Sequence, residues 1–144
     1  MIDIKSALNA FSDAHVCKWK ELQPKLYGID VGMQLVNGET RFQYVTIQIA
    51  SKNHKEMVIL HSQVGELHSY IKPDQLLRDN RKTVYSKILL QKLQDKKGNV
   101  LESICIQANL MEDHFTNALF DAMLSEVADR ADLLEELHYG GDHH

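Results

Sequence analysis

Residues 61–80 read HSQVGELHSYIKPDQLLRDN, and this stretch decides how the chain is arranged. It begins at the end of an apolar run, contains a glycine at position 65, and has Pro73 just before two leucines. Proline fits the first turn of a helix, where its missing N–H is not needed. The stretch therefore predicts a strand that ends near the glycine, followed by a short helix over residues 72–80.

Three strand patterns precede this helix. Apolar residues alternate with glycine or polar residues over positions 27–35, the Asn37-Gly38 pair favours a hairpin turn, and residues 41–50 return as an antiparallel partner. Residues 56–62, EMVILHS, are apolar at successive positions. This run predicts a central strand that is covered on both faces.

Two more strand patterns follow the helix, at residues 83–95 and 100–110, and Gly98 suits the hairpin loop between them. Helix patterns open the chain over residues 3–22 and close it over residues 112–138. Asn109 and Glu112 resemble a capping pair for the closing helix, and Gly140 is a plausible stop. The predicted fold class is α+β, an antiparallel five-stranded sheet with helices packed on it, in the order α-β-β-β-α-β-β-α.

Length and composition fit one globular domain. The chain has 144 residues, of which 44% are hydrophobic and 25% charged. We expect a single domain over residues 1–139 and a flexible tail over residues 140–144. The formal charge of −4, with lysine and arginine scattered among acids, argues against a nucleic-acid partner.

The expected location is the cytoplasm. The N-terminal residues contain acids where a signal peptide needs a basic region, and no apolar stretch approaches 18 residues, so no membrane contact is expected. Cys17, in a helical pattern, and Cys105, in a strand pattern, have no metal-type spacing. Both are interpreted as buried, reduced thiols.

Histidines are the main argument for a metal site. His61 and His68 could supply two zinc ligands, but zinc needs three or four, and a strand-to-helix link explains both residues without metal. The terminal residues His138, Asp142, His143 and His144 either bind a transition metal adventitiously or form a solvated tail. We therefore expect no metal and no cofactor.

Catalytic patterns are absent from the sequence. The two cysteines are expected to point inward, no serine occupies a nucleophile turn, and no glycine-rich phosphate loop occurs. We expect the protein not to be an enzyme. The alternative is a small metal-dependent enzyme, which would have to bring at least three histidines or acids together in a cleft.

The strand pattern over residues 83–95 is apolar on both faces. Either its residues twist between environments, or one face is an exposed surface for self-association or peptide docking. The large apolar residues are Val84, Ile88 and Leu90 on one face and Tyr85, Leu89 and Leu93 on the other.

The order of elements and a few short motifs resemble two bacterial families, YbjN and the class I type III secretion chaperones, which share a CesT-like fold. Val64 and Gly65 match the end of the third strand in those families. Leu76, Leu77 and Asn80 match their short middle helix.

This resemblance implies a non-enzymatic homodimer that binds a segment of another protein, either as a secretion chaperone for an extended cargo or as a YbjN-like regulator. The pI of about 6.0 is compatible with it. Leu8, Phe11, Val31 and Met33 are the expected partner-binding residues. The expected dimer interface comprises Leu76, Leu77, Tyr85, Ile88, Leu89 and Leu90.

Overall fold

A computed structural model describes residues 1–140, in which three α-helices accompany a six-stranded antiparallel sheet. The predicted tail therefore lies outside the described residues except for Gly140. Single 3₁₀ turns occupy Asn80–Lys82 and Glu112–His114. In chain order the elements are α1 (Ile4–Ala14), β1 (Cys17–Gln23), β2 (Leu26–Gln34), β3 (Thr40–Lys52), β4 (Lys55–Glu66), α2 (Pro73–Asp79), β5 (Lys87–Gln94), β6 (Val100–Met111) and α3 (Asn117–Tyr139).

The α+β class is confirmed, but the predicted five strands and their order are wrong. The first helix ends at Ala14 instead of near residue 22, and β1 follows it, so the order is α-β-β-β-β-α-β-β-α. Cys17 consequently lies in a strand and not in a helix.

Pairing with β2 explains why β1 is a strand. Cys17 pairs with Val31 and Trp19 with Ile29, which places both side chains toward the core, while Lys18 and the other intervening residues face solvent. The backbone groups of β1 and β2 also hydrogen-bond to each other, so β1 extends the sheet by one strand. A contact between distant positions thus prevails over a local helical pattern.

The long C-terminal helix begins later than predicted. Asn109 lies in β6 and Glu112 in the following 3₁₀ turn, so they do not form the predicted capping pair. The cap is Thr116, whose hydroxyl accepts a 3.0 Å hydrogen bond from the Leu119 N–H. Gly140 ends the helix with a φ of 68°, as predicted.

The short elements agree with the sequence more closely. The helix α2 has Pro73 in its first turn, as expected. Both Gly38 and Gly98 adopt positive φ angles, 88° and 85°, in the two predicted hairpin loops.

The strand order across the sheet is β1-β2-β3-β4-β6-β5, and every pair is antiparallel. One face carries the core, and α1 and α3 pack against it and against each other. Strand β4 is central, as predicted, but it is not covered on both faces: Val58 and Leu60 are buried, whereas Met57 and Ile59 on the opposite face are half-buried. We call the face without the core the open face.

None of the helices within residues 1–140 is both long and apolar enough to cross a membrane.

Candidate protein-interaction surface

Strand β5 forms one edge of the sheet and has β6 as its only neighbouring strand among the described residues. An edge strand presents unpaired N–H and C=O groups, which can bind another extended chain. What covers the outer side of β5 therefore determines what this edge can bind.

Asn80 covers the first outward-facing position. Its side-chain Oδ1 accepts a hydrogen bond from the Ile88 N–H at 2.5 Å, and its Nδ2 donates to the Ile88 carbonyl at 3.3 Å. The outward and inward positions alternate along an antiparallel strand. Beyond Ile88, the backbone groups of Leu90, Lys92 and Gln94 face outward along the free edge.

A carboxylate of α3 holds the connection that leads into β5. Glu126 accepts hydrogen bonds from the backbone N–H groups of Val84, Tyr85 and Ser86 at 2.7, 2.8 and 2.6 Å. Partial burial raises the pKa of Glu126, but these hydrogen bonds together lower the pKa below its usual value. The connection is thus fixed through its backbone, while the side chains of Val84 and Tyr85 remain exposed.

A small apolar groove of about 90 Å³ lies between α2 and β5. Leu76 and Ile88 are buried in its floor, whereas Leu77 is 68% exposed and Leu90 is 41% exposed. Large apolar side chains that remain in water at one place are a signature of a binding surface. We call the groove residues together with the two exposed residues before β5 the β5 edge surface: Pro73, Leu76, Leu77, Val84, Tyr85, Ile88, Leu89 and Leu90.

This surface contains all six residues expected at a dimer interface, including Leu89, which is half-buried. The structure brings them together at one edge of the molecule, but the second copy itself stays a prediction. Sequence reasoning missed Pro73 as a groove residue, and it also missed Glu126. No local signal marks Glu126, because its role depends on a segment 40 residues or more away.

The residues expected to bind a partner segment have a different position. Leu8, Phe11 and Val31 are fully or almost fully buried in the core between the helices and the sheet. Met33 is half-buried and packs against the same core. Since these side chains have little or no surface to offer, we do not include them in the candidate surface.

The histidines are dispersed through the fold. His61 lies on the open face with its Nε2 2.9 Å from Gln91 Oε1, and His68 stacks on Tyr70. His15 lies 2.8 Å from Asp121 of α3. Within residues 1–140, no three side chains of histidine, cysteine, aspartate or glutamate are placed to hold a metal ion. His143 and His144 lie outside the described residues.

A polar cluster lies inside the core and is not accessible to a ligand. Gln43 Nε2 donates to Glu135 Oε1 at 2.9 Å and to Ser62 Oγ at 3.1 Å, and Ser62 Oγ donates to the Tyr44 carbonyl at 2.7 Å. The side chains of Gln43, Ser62 and Glu135 are buried. Mutual hydrogen bonds offset the cost of burying them, which indicates a structural role.

Comparisons with known proteins add a similarity in fold. No protein-family model matches the chain, and no curated protein does. The structure is similar to the crystal structure of YbjN from E. coli, provisionally described as a transcription regulator, with a TM-score of 0.48 and 12% identity over 92% of this chain and 89% of that one. YbjN is one of the two families that the sequence resembles.

Proposed function

We propose that this protein is a non-enzymatic binding module that holds a segment of another protein at the β5 edge surface. The observation that supports the proposal is the free backbone edge of β5 beside an apolar groove. Edge hydrogen bonds give affinity for any extended chain, and side-chain pockets select among chains. The β5 edge surface has both features.

Binding proceeds by strand addition. The segment lies antiparallel or parallel to β5 and pairs with the outward-facing groups of Leu90, Lys92 and Gln94. One of its apolar side chains enters the groove between Leu77 and Leu90. Burying one leucine-sized side chain contributes roughly 1.5–3 kcal/mol of transfer free energy.

A second copy of the chain is the other occupant that this surface could take, and it corresponds to the expected homodimer. A two-fold contact would bury the exposed side chains of Leu77, Tyr85 and Leu90 on both copies. Sedimentation of the wild type distinguishes the two cases, because a dimer that uses this surface leaves no free edge for a partner.

Selection from a random peptide library tests the proposal. The wild type should enrich peptides that do not bind a Leu77→Asp/Leu90→Asp variant, because both substitutions place a charge at the rim of the groove. Val36→Asp is the matched control, since Val36 is fully exposed in the β2–β3 loop, far from β5. Thermal melts establish that the variants fold.

Two results would overturn the proposal. Enriched peptides could bind the double variant as tightly as the wild type, which would place binding elsewhere. Alternatively, no peptide could be enriched while the wild type sediments as a monomer, which would leave the β5 edge surface without any protein occupant.

A further inference from the structure

Charge is distributed unevenly along this chain. Residues 72–97, which span α2, β5 and the start of the next hairpin, contain eight lysines or arginines and three aspartates, a formal charge of +5. The rest of the chain contains eight lysines or arginines and seventeen acids, a formal charge of −9. The interpretation that lysine and arginine are scattered among acids is therefore wrong for this segment, and the net charge of −4 conceals a basic region that coincides with the β5 edge surface.

The three aspartates in this region are already engaged. Asp74 pairs with Arg78 at 3.3 Å and Asp79 with Lys82 at 3.5 Å. Asp95 accepts backbone hydrogen bonds from Lys97 and Asn99 within its own hairpin, at 2.9 and 2.8 Å. The carboxylates of these aspartates thus interact with groups in their own helix, turn or hairpin.

The cations beside the free edge have no such partner. Lys87 and Lys92 lie on β5 itself and Lys72 directly precedes α2; all three are exposed, and none of them forms an ion pair with an acid in the described part of the chain. Two acids of neighbouring elements reach this side: Glu126, whose carboxylate holds the connection to β5, and Glu102, which is opposite Lys92 in the β5–β6 register. The edge therefore remains basic.

This charge opposes pairing with a second copy. The Asn80 side chain already hydrogen-bonds to the backbone of Ile88. A two-fold antiparallel contact between two β5 strands can therefore use only the outward-facing backbone groups of Leu90, Lys92 and Gln94. The arrangement that uses all three places Lys92 directly opposite the same lysine of the other copy. Like charges in opposite positions destabilise a strand pair.

We propose that the occupant of the β5 edge surface is an acidic, extended segment of a different protein. This inference rests on the proposed function and adds the chemistry of the partner. The segment places glutamate or aspartate beside Lys87 and Lys92 and a large apolar side chain in the groove. Attraction between the basic edge and the acidic segment accelerates their association and weakens as salt increases.

Fluorescence anisotropy with three labelled peptides of about ten residues tests this inference. In the peptides pairs of leucines alternate with pairs of glutamates, of serines or of lysines, so that both faces of the extended peptide carry both residue types. The wild type should bind the glutamate peptide at least about tenfold more tightly than the serine peptide at low salt, and the difference should shrink as salt rises. The lysine peptide should bind weakest.

Charge reversal supplies the matched control. Lys87→Glu/Lys92→Glu should weaken binding of the glutamate peptide about tenfold or more and should strengthen binding of the lysine peptide. Lys18→Glu/Lys20→Glu makes the same change on β1, the opposite edge of the sheet, and should leave binding unchanged. Leu77→Asp should weaken binding of every peptide that uses the groove.

The outcomes separate the two proposals. Equal binding of the glutamate and serine peptides, or equal weakening by both double reversals, would overturn the acidic partner; if Leu77→Asp still weakens binding, the proposed function remains. A wild-type dimer that Leu77→Asp dissociates would identify a second copy as the occupant. No peptide binding and no dimer would overturn both proposals.

Discussion

The side chain of Asn80 forms two hydrogen bonds with the backbone of Ile88, as a neighbouring strand would. A residue of the turn after α2 thereby closes the first position of an exposed sheet edge. Since closing one position leaves the following ones free, the same contact defines where the open edge of β5 begins.

Replacing Asn80 by alanine should lower the free energy of unfolding by about 1–2 kcal/mol, because the Ile88 N–H and C=O lose their partner. Hydrogen exchange at the Ile88 amide should accelerate relative to Leu89, whose amide faces β6. Asn80→Asp keeps the acceptor and should protect this amide partly. An unchanged exchange rate in Asn80→Ala would show that the side chain does not close the edge.

Stability should depend on pH through Glu126. The pKa of Glu126 is lower in the folded protein than in the unfolded chain. The charged carboxylate therefore stabilises the fold at pH values above the unfolded pKa, and this stabilisation is lost as the pH falls through the folded pKa. Glu126→Gln should reduce the acid-dependent fall in unfolding free energy between about pH 5 and pH 3. Denaturant titrations at several pH values measure this pH dependence of the unfolding free energy. Glu39 lies in an exposed loop, so Glu39→Gln is the control.

The buried cluster predicts a large effect of Gln43. Gln43→Ala removes the hydrogen bonds that the Gln43 side chain donates to Glu135 and Ser62, and it leaves a small cavity. We therefore expect a loss of about 2–4 kcal/mol in unfolding free energy. Gln48 lies on the same strand and is exposed on the open face, so Gln48→Ala should change the unfolding free energy by less than about 0.5 kcal/mol. Similar losses in both variants would contradict a structural role for the cluster.

The observed start of α3 predicts which capping residue stabilises it. Thr116→Ala should cost about 1 kcal/mol, because the Leu119 N–H loses its acceptor. Asn109→Ala, at the position that the sequence pattern favoured, should stay within about 0.5 kcal/mol of the wild type. Chemical denaturation of the two variants checks this, and the reverse ranking would place the helix start at Glu112.

Local patterns were sufficient for elements whose formation depends on neighbouring residues. The turn glycines at positions 38 and 98 require positive φ angles, and Pro73 suits a first helical turn, so these features were predictable. Two-residue alternation likewise predicted β2, and the Asn37-Gly38 turn predicted β3 as its antiparallel partner. The residues expected at a dimer interface lie together in the β5 edge surface, but their role in a dimer stays a prediction.

Contacts between distant residues decided the rest. Cys17–Gln23 is a strand because it pairs with β2 and packs Cys17 and Trp19 against the core, and β6 extends to Met111 because Met57 of β4 pairs with it. The candidate surface has the same origin. The sequence by itself determined an apolar strand, a short helix and a basic segment, whereas only the tertiary structure placed that strand at the edge of the sheet, because strand order is set by long-range hydrogen bonding and packing.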